Sequence, residues 1–105
     1  MPVLIATITP NSGQLEAVET VFKGLIQAVH DEDGCEVYAL HRGKDRLVLV
    51  EKWRDMAALD AHGSGANLKS LNQELEGLVA GAPDVQILEA VPAGDVTKGV
   101  VHGRV

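Results

Sequence analysis

From Val3 to Thr9 the chain is almost continuously apolar and rich in β-branched side chains, the pattern of a central strand covered on both faces. Pro10-Asn11-Ser12-Gly13 interrupts it, with Asn11 or Ser12 as the expected N-cap of the next element. Leu15, Val18, Phe22, Leu25, Ile26 and Val29 then recur at helical spacing and predict an amphipathic helix over about residues 13–30, ended by Asp31-Glu32-Asp33-Gly34. Two strand patterns, Cys35 to Arg42 and Arg46 to Trp53, are joined by Gly43-Lys44-Asp45 and predict a hairpin. Asp55 is placed to cap a short helix carrying Met56, Leu59 and His62, which Gly63-Ser64-Gly65 breaks. A second helical stripe of Leu68, Leu71, Leu75, Leu78 and Val79 is closed by Gly81-Ala82-Pro83, and Asp84 to Glu89 reads as a last strand.

The order β-α-β-β-α-β is that of the ferredoxin-like split βαβ fold, an α+β domain whose four-stranded antiparallel sheet carries its helices on one face. The domain spans residues 1–92, with residues 93–105 as a C-terminal tail. In the third strand Leu47 and Leu49 point one way and Val48 and Val50 the other, so the sheet is apolar on both faces. A bare apolar face calls for a cover. The expected cover is a second copy of the chain, sheet against sheet; the alternative is the tail folded back. Val96-Thr97 and Val100-Val101 in the tail also have the composition to add a strand to a partner subunit.

A length of 105 residues fits one domain with one core. With 46% hydrophobic and 23% charged residues, disordered, collagen-like and membrane classes drop out, and the longest apolar runs fall far short of the roughly 18 residues of a spanning helix. The net charge of −6 and the lack of a Lys/Arg block exclude nucleic acid as an expected partner. A lone Cys35 cannot form an internal disulfide, and no basic leader precedes the first strand, so a cytoplasmic location is expected. The histidines are scattered on different elements, a poor basis for a metal site, so none is expected.

Chemistry concentrates between Gly34 and His62, which holds the single Cys, Tyr and Trp and two of the four His. Here the residues resemble a known family. Gly34-Cys35 opening a strand, Tyr38 and Leu40-His41-Arg42 along it, Glu51-x-Trp53 ending the next, and Ala58-Leu59-x-Ala61-His62 on the following helix are similar to the antibiotic biosynthesis monooxygenase domain family. The resemblance covers roughly residues 1–92. It implies a dimeric α+β barrel with a cavity between each subunit's sheet and helices. It also implies one of several activities: cofactor-independent oxygenation of quinols and polycyclic phenols, isomerisation of small phosphorylated dicarbonyls, or haem degradation. Members that oxidise anthrone-type polyketides carry an amide where this chain has Leu49, and haem-degrading members carry a His near Asn72 and an amide near Ala6 or Thr7. None of those side chains is present, which turns the reading away from haem and from the anthrone residue set.

Strand alternation puts Leu49, Glu51 and Trp53 on one face of the third strand and Glu36, Tyr38 and Leu40 on one face of the second. A four-residue hairpin connection sets Tyr38 opposite Glu51, and His62, one turn after Leu59, roofs the same space. These predict His62 as base, Tyr38 as hydrogen-bond donor to a developing anion and Glu51 as the orienting carboxylate, with Trp53, Leu49, Leu40 and Leu59 contacting substrate. A phenolate or carbanion made there would pass an electron to O2 with no cofactor. The expected activity is thus a cofactor-independent monooxygenase of a quinol or hydroxy-aromatic compound. Two alternatives stand beside it: an isomerase of a small phosphorylated dicarbonyl, and a non-catalytic homodimer that binds a small ligand. Each residue also has a purely structural reading: His62 capping a helix C-terminus, Trp53 and Tyr38 as core, and Glu51 paired with Arg54, Arg42 or Lys52. Cys35 reads as a small buried apolar residue, His41 as an interface residue, and His30 and His102 as solvent-side.

Overall fold

The computed structural model describes residues 1–101; the reading of His102 lies outside them. Strands β1 (Pro2–Ile8), β2 (Cys35–Arg42), β3 (Leu47–Trp53) and β4 (Asp84–Glu89) alternate with helices α1 (Leu15–His30), α2 (Met56–Gly63) and α3 (Ala66–Leu75). The sheet order is β2-β3-β1-β4 with all neighbours antiparallel, the ferredoxin-like arrangement. A four-residue connection from Gly43 to Arg46 joins β2 to β3, closed by the Gly43 N–H donating to the Arg46 carbonyl at 2.8 Å. That length fixes the register that pairs Tyr38 with Glu51 and Leu40 with Leu49.

Leu4, Ala6 and Ile8 of β1, Leu47, Leu49 and Trp53 of β3, and Val18, Phe22 and Val29 of α1 form the buried core with Leu59, Leu71 and Leu75 of the other helices. The three helices do not reach across the whole sheet. On β4, Val85 and Ile87 share the helix-side face with their partners Ala6 and Leu4, yet remain 49% and 56% exposed. The opposite face carries Val3, Ile5, Val48, Val50, Val37 and Ala39 with no helix over them. Met1, Val3 and Lys52 border a hollow with Pro92, Val100 and Val101, so the described tail lies against one end of that face.

Several local expectations are corrected. Neither Asn11 nor Ser12 caps α1: Gly13, at φ +80°, turns the chain first, and Gln14 occupies the cap with no side-chain bond. Asn11 instead ties this turn to the far end of α3, its backbone N–H donating to the Leu78 carbonyl at 2.8 Å and its amide to the Gly77 carbonyl at 3.1 Å. Helix α3 stops at Leu75 rather than running to Gly81, because Gly77 adopts φ +81° and reverses the chain. Leu78 and Val79 therefore belong to a connection in which Val79 bridges to Pro10. Asp55 does cap α2, its Oδ1 accepting the Ala58 N–H at 2.8 Å. Among the described residues no helix is long and apolar enough to cross a membrane.

Candidate active site

A cavity of about 270 Å³ lies between the sheet and the helices. Its walls are largely apolar: Leu4, Ala6, Ile8 and Leu49 from the sheet, Phe22 from α1, and Leu59, Leu68, Leu71 and Leu75 from α2 and α3, with Pro83 and Val85 at the β4 side. Three buried polar residues line it from three elements, Tyr38 of β2, Glu51 of β3 and His62 of α2, beside the exposed Asn72 of α3. All three residues are at most 5% exposed.

Each polar group is held from behind. Strand alternation places Glu51 and Trp53 on the same face, and the Trp53 indole Nε1 donates to Glu51 Oε1 at 3.0 Å. Trp53, wholly buried, also stacks on the His62 ring with centroids 4.6 Å apart and planes at 29°. Tyr38 meets the same imidazole edge-on at 5.7 Å. His62 Nδ1 lies 3.0 and 3.1 Å from the two oxygens of Glu32, and the Asn67 amide donates to Glu32 Oε2 at 3.0 Å. Gly34, at φ +83°, allows this approach: a Cβ there would stand 2.5 Å from the Ala58 Cβ, so a larger residue would lift the Glu32 loop off α2. Arg54 clamps the same loop with two 3.0 Å bonds to Asp33.

The opposite ends of these groups are free. Among the described residues Tyr38 Oη, Glu51 Oε2 and His62 Nε2 have no hydrogen-bond partner, yet no buried side-chain nitrogen or oxygen is both sealed from solvent-sized space and unpaired. All three atoms therefore open onto space, and the cavity is the space the three residues share. Burial, reinforced by the nearby Glu51 and Glu32 charges, pushes the Tyr38 phenol above its ordinary range, so it stays a donor. Burial likewise raises Glu51, against the opposing effects of the Trp53 bond and of His62. Burial and the surrounding carboxylates push Cys35 up to about 11, a protonated, unreactive thiol. No cluster of His, Cys, Asp and Glu suited to a metal occurs among the described residues.

Of the residues singled out in the sequence, Tyr38, Glu51, His62, Leu49 and Leu59 line this cavity; Leu40 and Trp53 do not. Leu40 faces a surface groove between α1 and β2, and Trp53 stands behind His62 and Glu51 as their support. Glu36 also leaves the Tyr38 face, because a bulge between Cys35 and Val37 swings it to Lys52, 3.8 Å away. Glu51 pairs with none of Arg54, Arg42 or Lys52; its donor is the indole two residues on. His30 is exposed at the end of α1, as expected, and its Nε2 also lies 2.9 Å from the Tyr38 carbonyl. Glu32 and Asn67 are missed by sequence reading. One signal pointed to Glu32: three acidic residues crowd the C-terminal end of α1, where the helix dipole disfavours negative charge, so each needs a partner elsewhere.

A ferredoxin-like α+β domain with a roofed apolar cavity and three inward polar groups defines the class. Residues 1–73 match the family model of the antibiotic biosynthesis monooxygenases, and the chain belongs to that family. Solved structures agree. A Pseudomonas aeruginosa protein is similar at 30% identity and TM-score 0.78, over 86% of this chain and 93% of its own. A Caulobacter crescentus protein is similar at 31% identity and TM-score 0.78, over 86% and 89%. The Mycobacterium tuberculosis protein Rv0793 is similar at 26% identity and TM-score 0.79, over 90% and 100%. No curated protein matches the chain.

Proposed function

We propose that this cavity is the active site of a cofactor-independent monooxygenase acting on a small quinol or hydroxy-aromatic compound. The observation that carries the reading is the convergence of Tyr38, Glu51 and His62 on one largely apolar cavity, with Tyr38 Oη, Glu51 Oε2 and His62 Nε2 unpaired among the described residues. These atoms leave donor and acceptor capacity that the hydroxyl of a bound substrate would fill. Such a substrate places its hydroxyl among the three and its ring against Leu49, Leu59 and Leu71. His62 Nε2 takes the hydroxyl proton, and the Tyr38 O–H donates to the oxygen as it gains charge. The anion gives one electron to O2, and the resulting radical and superoxide combine at a ring carbon as a peroxide. Loss of water from that peroxide converts a ring C–H to C=O while the former hydroxyl becomes the second carbonyl, so one O2 yields a quinone and one water. Glu51, biased by burial toward its acid form, hands a proton to the departing oxygen and regains one from the ring C–H as the carbonyl forms.

An isomerase of a phosphorylated dicarbonyl is the second reading, and it is disfavoured because no Lys or Arg lines the cavity to meet a phosphate. We also propose that residues 1–92 act as a homodimer packed through the open sheet face, with residues 93–105 as an appended tail. In support, the face presents Ile5, Val48, Val50 and Leu88, and β4 is exposed along its whole length. The test of the activity is oxygen uptake with a panel of quinols and hydroxy-aromatics. His62→Ala is expected to lower turnover by about 10²–10⁴-fold while leaving the fold intact, and an unchanged rate would remove His62 from the role of base.

A further inference from the structure

The geometry points to Glu32 as the positioning residue of this site: its carboxylate holds the hydrogen of His62 on Nδ1, so that the Nε2 lone pair faces the cavity. The inference rests on the reading of His62 as base, but its geometry stands independently. His62 Nδ1 lies within 3.1 Å of both Glu32 oxygens. A carboxylate only accepts, so the shared hydrogen belongs to the imidazole nitrogen. A neutral imidazole with Nδ1–H must then present Nε2 as an acceptor, and Nε2 is the atom that opens onto the cavity. Glu32 is itself fixed. Asn67, on α3, donates to its Oε2 at 3.0 Å, and the same amide reaches the Ala28 carbonyl of α1 at 3.1 Å. One hydrogen-bonded chain thus ties α1, α3 and α2 to the tautomer of a single ring.

Glu32 and His62 also divide two spaces. His62 lines the inner cavity and Glu32 does not; Glu32 lines an outer groove of about 410 Å³, with Asp33, Arg54, Ala61 and Asn67, and His62 does not. The Glu32 side chain is 20% exposed on that groove against 6% for His62. The carboxylate therefore borders the outer groove while the imidazole borders the inner cavity. When Nε2 takes the substrate proton, both nitrogens carry hydrogen, and the Glu32 charge already in place steadies the cation until the proton returns to the peroxide oxygen. No atom is gained or lost by Glu32 in this cycle.

The test reads the tautomer directly, by long-range proton–nitrogen correlation NMR of 15N-labelled protein above the range where histidine is protonated. Wild type is expected to show His62 as the Nδ1–H form, and Glu32→Ala to lose that dominance. An Nε2–H form in wild type, a measurement that needs no variant, overturns the inference, as does an unmoved tautomer in a folded Glu32→Ala. With an active substrate in hand, Glu32→Ala should lose about ten- to a hundredfold in kcat with little change in KM. Formate entering by the outer groove should restore part of it, and a loss that formate leaves untouched would reduce Glu32 to packing. If no quinol or hydroxy-aromatic turns over in wild type while the tautomer shifts as stated, the oxygenase reading fails and the Glu32 assignment stands.

Discussion

The two faces of β3 are built from neighbouring residues and do opposite things. On the helix side Leu47, Leu49, Glu51 and Trp53 are all buried, two of them carry polar atoms, and their hydrogen bonding is finished inside the protein on one side only. On the other side Val48, Val50 and Lys52 are half-buried, and the polar member is already matched to Glu36. The covered face keeps unpaired polar ends beside a void, while the uncovered face is apolar and wants contact over an area. A surface of the first kind recognises a small molecule held by a few directed bonds, and one of the second kind recognises another flat apolar surface. Alternation along seven residues is enough to separate the two tasks.

The comparison breaks most sharply at Val50, which pairs with Ile5 on one side and Ala39 on the other, in the middle of the open face. Val50→Asp would place a lone charge against the partner sheet. Its expected cost is about 4 kcal/mol, close to a thousandfold in dimer dissociation. Sedimentation of wild type as a dimer and of Val50→Asp as a folded monomer is the expected result. A wild-type monomer at micromolar concentration, or a variant dimer as tight as wild type, would show that this face is not the contact.

The covered face is tested next at Trp53, which combines complete burial, the stack on His62 and the donor to Glu51. Trp53→Phe keeps an aromatic ring there but removes the N–H, leaving Glu51 Oε1 without its donor. Unfolding in urea should show a loss of about 2–3 kcal/mol, part of it from the unfilled volume and part from the unpaired oxygen. A loss well under 1 kcal/mol would mean that Glu51 finds another partner and that the indole is not what holds it.

How far these two faces could be read in advance depends on the range of the interactions. The strands, the start of α2 and the pairing of Tyr38 with Glu51 follow from local rules: period-two patterning, the Asp55 cap and the length of the turn between Arg42 and Leu47. Leu40 reads as a cavity residue by the same alternation but stands at the edge strand, beyond the reach of α2, and faces the groove against α1. Glu36 is displaced by a bulge, which inserts one residue into one strand and leaves no pattern in hydrophobicity. The Glu32–His62 bond spans thirty positions and depends on Gly34 letting two elements touch, so spacing alone does not carry it. For Glu51 the signal was closer. Its donor was the nearest same-face polar group, Trp53, whereas a search confined to cationic partners passes over an indole.

The smallest and most specific effect concerns the charge of Glu51. Burial raises its pKa in the folded protein above that of the unfolded chain, where the carboxyl keeps its ordinary value. Below the unfolded value both states hold the proton and the group leaves stability untouched. As pH rises past it the unfolded chain releases its proton first, so stability falls, and the fall levels off only above the folded value. Glu51→Gln retains an oxygen for the Trp53 donor and has no proton to release. The variant should therefore gain on wild type as pH rises between about pH 4 and about pH 8, with contributions of other groups largely cancelling in the difference. Unfolding free energies of the two proteins across that interval measure it. A difference that stays flat with pH would place the Glu51 carboxylate in water, and with it the free oxygen that distinguishes the inner face of β3 from the outer.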